Sequence, residues 1–363
     1  MRKMYVVNDT VTGVFSGIYD AWKEERTIEN AAILIRGEIE QELFCEYFEG
    51  EESPEECLLR EVYEETGLTL TSYQFRGMVT FCSEGNQTEY MCLYTADGFE
   101  GELKECEEGI LEWVEKDKME ELNLWDGDIL FLDLLKRNVP FFSLKLCYRK
   151  NGSWHRALLD GRELELFDLV REDGSPTGHV MERCMVHKRG ELHRTVHIWV
   201  VNKKADGSVE VLLQKRSQAK DAYPGCYDVS AAGHMLAGEE FEAAASRELF
   251  EELGIDAQEG ELRFIGYHEG YVEAAFLGQP FKDWEISAVY LYERPVKPEN
   301  LVIQKIEVEE VSFWDYDKVF TGILEGTLKT CIYPEEFKLI KKALEPGFSA
   351  QGVRVADCPR TKT

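Results

Sequence analysis

Positive charge is what this chain most lacks. Its 363 residues carry 41 Lys plus Arg against 70 Asp plus Glu, a formal charge of -29, which argues against non-specific binding to a nucleic acid polymer or to an anionic membrane. An anionic ligand would therefore need a metal ion and locally placed basic residues. No apolar run approaches the length of a membrane span, and the opening MRKMYVVNDT lacks the apolar core of a signal peptide. Both absences lead us to expect a cytoplasmic protein with no membrane partner. The ten cysteines include no Cys-x-x-Cys pair and no metal-ligand spacing, so they are expected to be reduced, small core residues. No long flexible linker is evident, although the length leaves room for two domains, each with its own core.

What the chain does have is a stretch from Gly233 to Ile255, GHMLAGEEFEAAASRELFEELGI. On a helix, Glu248, Glu251 and Glu252 project to one side, next to Arg247. Like charges this close repel, and a hard divalent cation that accepts carboxylate and phosphate oxygens would offset the repulsion. A solvated acidic face is the plain alternative in so acidic a chain. The surrounding spacing argues against it: Gly233, five residues, Glu239, seven residues, then Arg-Glu-Leu-Phe-Glu-Glu-Leu-Gly-Ile. This pattern resembles the signature of the Nudix hydrolases at every fixed position. The resemblance implies a loop, helix, loop that hydrolyses a diphosphate joined to another moiety with Mg²⁺ or Mn²⁺. It makes Glu248, Glu251 and Glu252 metal ligands, gives Glu251 or Glu252 a catalytic part, and has Arg247 orient a carboxylate by a forked contact.

A second copy of the pattern lies upstream: Glu52, seven residues, then Arg60-Glu61-Val62-Tyr63-Glu64-Glu65-Thr66-Gly67-Leu68. The run is expected to form a helix capped by Ser53, with Pro54 at its first position and Leu58, Leu59 and Val62 toward the core. Later segments, including EYMCLYTADGFEGELKECEEG and Trp125-Asp126-Gly127-Asp128, resemble Nudix enzymes of the 8-oxo-dGTP diphosphatase type. Glu46 stands where the pattern opens with glycine, and the segment 1–45 replaces the expected strand and basic loop. This half reads as a degenerate Nudix domain over 1–162. Its Arg60, Glu61, Glu64 and Glu65 form a second candidate site, and a packing helix is the rival reading. A closing hairpin is expected around Asn151-Gly152.

From residue 163 the chain begins afresh. Strand runs HIWVV and VEVLLQ flank a turn at Asp206-Gly207, and a basic loop, RSQAKDAYPG, precedes the glycine turn. FDLVREDGSPTG, LHRTVHIWVVN, KRSQAKDAYPG and SAAGH make 163–346 similar to the branch of Nudix proteins near type 1 isopentenyl-diphosphate isomerase. That resemblance implies a second metal site at His187, His193, His234 and Glu285, and diphosphate-holding residues at Arg183, Arg216 and Lys220. Asp283 is expected to face the same site. Taken singly, each histidine is more simply a satisfied core residue and each basic residue a surface charge. The isomerase pattern has a cysteine immediately before Gly-His, whereas this chain has Ala232, so proton transfer across an allylic carbon is disfavoured and hydrolysis preferred.

The expected architecture is α/β: two Nudix-type α/β/α sandwiches with mixed sheets, followed by a mobile tail over 347–363. The expected partner is a small-molecule diphosphate. A non-catalytic, metabolite-binding or regulatory Nudix module is the alternative. Substrate identity and oligomeric state are not readable, because loops choose the leaving moiety.

Overall fold

In a computed structural model of the chain, the described residues are 53–104, 110–115, 118, 119, 122, 124–220, 222–276 and 279–356, with strand backbone at 3–8, 34–36 and 43–45. The chain divides into two compact units, Met1–Leu166 and Phe167–Thr363. Among the described residues no helix is long and apolar enough to cross a membrane.

In the first unit, strands β1 (Lys3–Asn8), β2 (Leu34–Arg36) and β6 (Ile110–Glu112) form a parallel sheet in the order β2-β1-β6. A six-stranded mixed sheet is built from β3 (Leu43–Cys45), β4 (Thr69–Ser83), β5 (Glu89–Glu100), β7 (Phe142–Tyr148), β8 (Trp154–Leu159) and β9 (Arg162–Glu163), in the order β3-β5-β4-β7-β8-β9. The β4–β7 pairing is parallel and the others antiparallel. Helix α1 (Pro54–Thr66) starts in a capping box between Ser53 and Glu56 and ends at Gly67, whose φ of 79° is left-handed. Its Leu58 and Val62 are buried with Leu68, Leu70, Tyr94 and Ala96, and Leu59 packs against the same cluster. Helix α2 (Asp126–Lys136) precedes β7. The β7–β8 hairpin turns at Gly152, φ 81°, where the sequence places Asn-Gly. Cys57 is disulfide-bonded, contrary to the expectation of reduced thiols throughout. The departure at Glu46 lies outside the described residues, as does most of the atypical segment before it.

The second unit opens with a hairpin, β10 (Leu166–Val170) and β11 (Pro176–Glu182), and a short helix α3 (Arg183–Arg189). Its main sheet contains β12 (Leu192–Lys203), β13 (Val209–Arg216), β14 (Tyr227–Asp228), β15 (Ala231–His234), β16 (Leu262–Phe276), β17 (Gln279–Tyr292), β18 (Val308–Asp315) and β19 (Arg354–Ala356). The order is β14-β13-β12-β17-β16-β19, with β15 on β12 and β18 on β13. The β12–β17 pairing is parallel, so the sheet is mixed.

Alternation along β12 divides the core. Val196, Ile198 and Val200 pack with Ala244, Ala245, Leu249 and Leu253 of α4 (Phe241–Leu253). Trp199 and Val201 face the other way, toward Tyr316 and Val319 of α5 (Tyr316–Leu324) and Phe337 and Ile340 of α6 (Pro334–Ala343). The sheet is thus covered by helices on both faces, the α/β/α arrangement expected. Within the tail expected to be mobile, the described residues 347–356 differ from expectation, and 357–363 lie outside the described residues. Val353 accepts a hydrogen bond from the amide of Tyr267, and Arg354–Ala356 pairs with β16 in parallel. Val353 and Val355 pack on the core beside α6, a two-residue alternation too short to stand out in the sequence.

Candidate active site and metal centre

Strand β15 joins two clusters. It pairs antiparallel with β12, His234 opposite Thr195 and Gly233 opposite Val196, so adjacent residues point to opposite faces. At Gly233 the helix side is filled: an added Cβ would lie 2.0 Å from the carboxyl carbon of Glu248. Only a glycine lets that carboxylate approach the strand.

Arg247 organises the helix carboxylates. Its Nε and Nη2 donate to the two oxygens of Glu239, each at 2.9 Å, and Nη2 also donates to the His234 carbonyl at 3.0 Å. Nη1 donates to Glu248 at 2.5 Å and to Glu251 at 3.3 Å. A single guanidinium therefore ties α4, the glycine turn and the strand together, the forked contact a planar donor set permits. Glu252 is buried, and its Oε2 accepts from the Ala232 amide and from Gln214 Nε2, both at 3.2 Å. Burial, followed by repulsion from Glu248, pushes the Glu252 carboxyl up to about 8. Burial also pushes Glu248 up to about 6, against the lowering effect of Arg247. Glu251 is half exposed. The cluster has more carboxylate than Arg247 can neutralise, and it suits a divalent cation.

On the other side, His187 from α3, His193 from β12, His234 from β15 and Asp283 from β17 converge, their ligand atoms all within 4.8 Å of one another. Asp283 Oδ1 lies 3.5 Å from His187 Nε2 and 3.7 Å from His193 Nε2. His187 Nε2, His193 Nε2, His234 Nε2 and Asp283 Oδ1 are buried with no hydrogen-bond partner, a costly state that coordination would relieve. Phe167 stacks on His234 with ring centroids 4.6 Å apart, and Phe281 on His187 at 4.8 Å, fixing the imidazoles. Burial depresses His193 to about 4 and His234 well below the ordinary imidazole range; both are neutral donors suited to a metal. Burial alone would raise Asp283, but the neighbouring imidazoles of His187 and His193 hold it below the ordinary carboxylate range. The donor set fits a transition-type divalent ion.

The carboxylate beside the three histidines is thus Asp283, whereas Glu285, the residue expected there, has its Oε1 3.7 Å from His197 Nε2. Both residues share a face of β17, so alternation alone could not say which lies nearer. Among the basic candidates, the charges of Arg183 and Lys220 both act to lower His234. Arg216 is committed elsewhere: Nη1 pairs with Asp228 at 2.8 Å, and Nε and Nη2 donate to the Ala222 carbonyl. It clamps the 217–225 loop. Lys220 also pairs with Glu307. The forked contact expected of Arg247 falls on Glu239, whereas the Gln214 contact to Glu252 and a buried His197–Glu336 pair were not foreseen from the sequence. The last joins residues 139 positions apart, a separation no local pattern reveals.

The first unit repeats part of the helix geometry. Arg60 Nη1 donates to Glu61 at 2.6 Å and to Glu64 at 3.2 Å, and Glu65 is buried. The loop that would supply the counterpart of Glu239 lies outside the described residues.

The NUDIX domain profile matches residues 26–135 and 191–334. The chain belongs to the Nudix family. By class it is a Nudix pyrophosphohydrolase, a group that works with divalent metal. It is 34% identical over 172 residues to a Nudix hydrolase of Clostridium acetobutylicum, covering 45% of this chain and 80% of that protein. It is also 35% identical over 157 residues to Nudix hydrolase 3 of Arabidopsis thaliana, covering 42% of this chain but only 20% of that protein. An isopentenyl-diphosphate Delta-isomerase of Pectobacterium atrosepticum is 30% identical over 169 residues, covering 47% of this Nudix chain and 83% of the isomerase.

Proposed function

We propose that the second unit hydrolyses the diphosphate linkage of a nucleotide-like or small organic diphosphate, with Mg²⁺ or Mn²⁺ held by Glu248, Glu251 and Glu252. The observation that carries this reading is the Glu252 carboxylate, buried beside Glu248 with, among the described residues, no basic side chain bonded to it. When bound, a divalent cation neutralises the diphosphate and activates the attacking water. The chain's own residues do the rest. Arg247 fixes the direction of Glu248 and Glu251, the Ala232 amide and Gln214 both donate to the same Glu252 oxygen, Oε2, and Lys220 and Arg183 supply positive charge for the substrate. His187, His193, His234 and Asp283 would hold a second cation. Ala232 offers no thiol for proton transfer at carbon, which favours hydrolysis over isomerisation. The protein is expected to work in the cytoplasm.

The test is a phosphate-release screen with Mg²⁺ and Mn²⁺ over nucleoside triphosphates, 8-oxo-dGTP, nucleotide sugars, NADH and isopentenyl diphosphate, with Glu252→Gln and Glu61→Gln alongside the wild type. Loss only in Glu252→Gln supports the assignment. Loss only in Glu61→Gln moves catalysis to the first unit, and no turnover in the wild type favours a binding or regulatory module.

A further inference from the structure

One face of the second unit's sheet carries a row of polar side chains where a core would ordinarily be apolar. On β12 the row is His193, Thr195 and His197, and on β17 it is Asp283, Glu285 and Ser287, with His193 opposite Glu285 and Thr195 opposite Ser287. One end of the row is the three-histidine set. At the other end Glu336, fully buried on α6, accepts from His197 Nδ1 through Oε2 at 2.8 Å and from Trp199 Nε1 through Oε1 at 2.7 Å. His268 Nδ1 lies 3.5 Å from the same Oε2. With Nδ1 committed to Glu336, the ring plane of His197 is fixed and its Nε2 faces Glu285 Oε1 at 3.7 Å. Glu285 is otherwise loosely held, with the Ser287 hydroxyl at 3.5 Å and the Thr195 hydroxyl beside it. Replacing a buried ion pair with apolar residues is often neutral or stabilising, so packing alone gives little reason for this pair.

We propose that His197 is a positioning residue: anchored by Glu336, it sets the Glu285 carboxylate as a further arm beside Asp283 and the three histidines. The chain Trp199, Glu336, His197, Glu285 follows the usual order in which outer partners orient a metal-binding group. The inference rests on the reading of the three-histidine set as a cation site, and its test separates the two.

Metal-stripped protein is titrated with Co²⁺, whose visible absorption reports nitrogen ligation, and each variant's thermal unfolding is recorded without metal. His193→Ala should abolish the absorption change; if it does not, or if the wild type shows none, the cation-site reading and the proposal both fall. His197→Asn keeps a partner for Glu336 but cannot reach Glu285, and should weaken Co²⁺ binding by about 10- to 100-fold. His197→Gln, whose amide extends toward Glu285, should lose less. Glu285→Gln should match His197→Asn, and the double variant should be no weaker than either single one. Should His197→Asn fail to fold, Glu336→Gln, which keeps the shape but loosens the anchor, is expected to show the same weakening. If His193→Ala abolishes binding while His197→Asn and Glu336→Gln bind as the wild type does, or if the double variant is additive, the proposal is overturned and the pair is structural.

Discussion

The carboxylate of Glu248 fills the space that a side chain at Gly233 would need, 2.0 Å from the Cβ position. Gly233→Ala must push Glu248 away from β15 or shift the strand itself. Misplacing a reacting group by about 1 Å can cost 10²-fold, so turnover is expected to fall by about 100-fold and the Mg²⁺ demand to rise, with the far-ultraviolet circular dichroism unchanged. Wild-type turnover in this variant would remove Glu248 from the site.

The four-way grip of Arg247 predicts that lysine cannot replace it. Arg247→Lys retains the charge but loses the paired bonds to Glu239 and the link to the His234 carbonyl. Each lost hydrogen bond to a charged group is worth about 1.5–3 kcal/mol, so urea unfolding should show a stability loss of that order or larger, with activity falling alongside. A variant that loses activity at full stability would give Arg247 a direct catalytic part instead.

Much of this site was legible because its residues are close in sequence. The spacing from Gly233 to Ile255 fixes a helix and its glycine turn, and the turn glycine, the arginine and the three glutamates then meet by geometry that any such helix repeats. The same local logic gave Ser53 and Pro54 as the start of α1 and Asn151-Gly152 as a hairpin turn. Strand register carried less information. Asp283 and Glu285 lie on one face of β17, and although Glu285 is the register partner of His193, it is Asp283 whose oxygen meets the histidines. Arg216 looked available for phosphate because nothing in the sequence shows that Asp228 and the Ala222 carbonyl take up its donors. Nothing local in the sequence marks Glu336, because its partners, His197 and Trp199, lie on a strand far back in the chain.

The raised Glu252 carboxyl gives a pH prediction for the metal-free protein. Its folded pKa of about 8 lies above the ordinary 4.5, so between those values the folded chain holds a proton that the unfolded chain has released. Stability from this group is therefore full below about 4.5 and lost as pH rises toward about 8. Glu252→Gln removes that slope. In the presence of a chelator its Tm should exceed that of the wild type at pH 8, and the gap should close near pH 4.5. His197, raised to about 9 chiefly by Glu336 against the effect of burial, adds a loss between about 6.5 and 9 in both proteins, so the difference isolates Glu252. Added Mg²⁺ should raise the Tm of the wild type and leave that of Glu252→Gln nearly unchanged. A larger gap at low pH than at high pH would contradict the assignment.

Lys220 and Arg216 flank the same loop but should fail in different ways. The charge of Lys220 acts on both Glu252 and His234, and its side chain pairs with Glu307. Lys220→Ala should raise KM by about tenfold or more, the worth of one hydrogen bond to a charged group, with kcat and Tm little changed. Arg216 holds the loop shut through Asp228 and Ala222, and removing it leaves the partly buried Asp228 carboxylate without this ion pair. Arg216→Ala should therefore lower Tm first, and its kinetic defect should shrink when measured well below that Tm. If instead Arg216→Ala raises KM at unchanged Tm, the guanidinium leaves Asp228 to bind phosphate, and the clamp is a resting arrangement that substrate displaces.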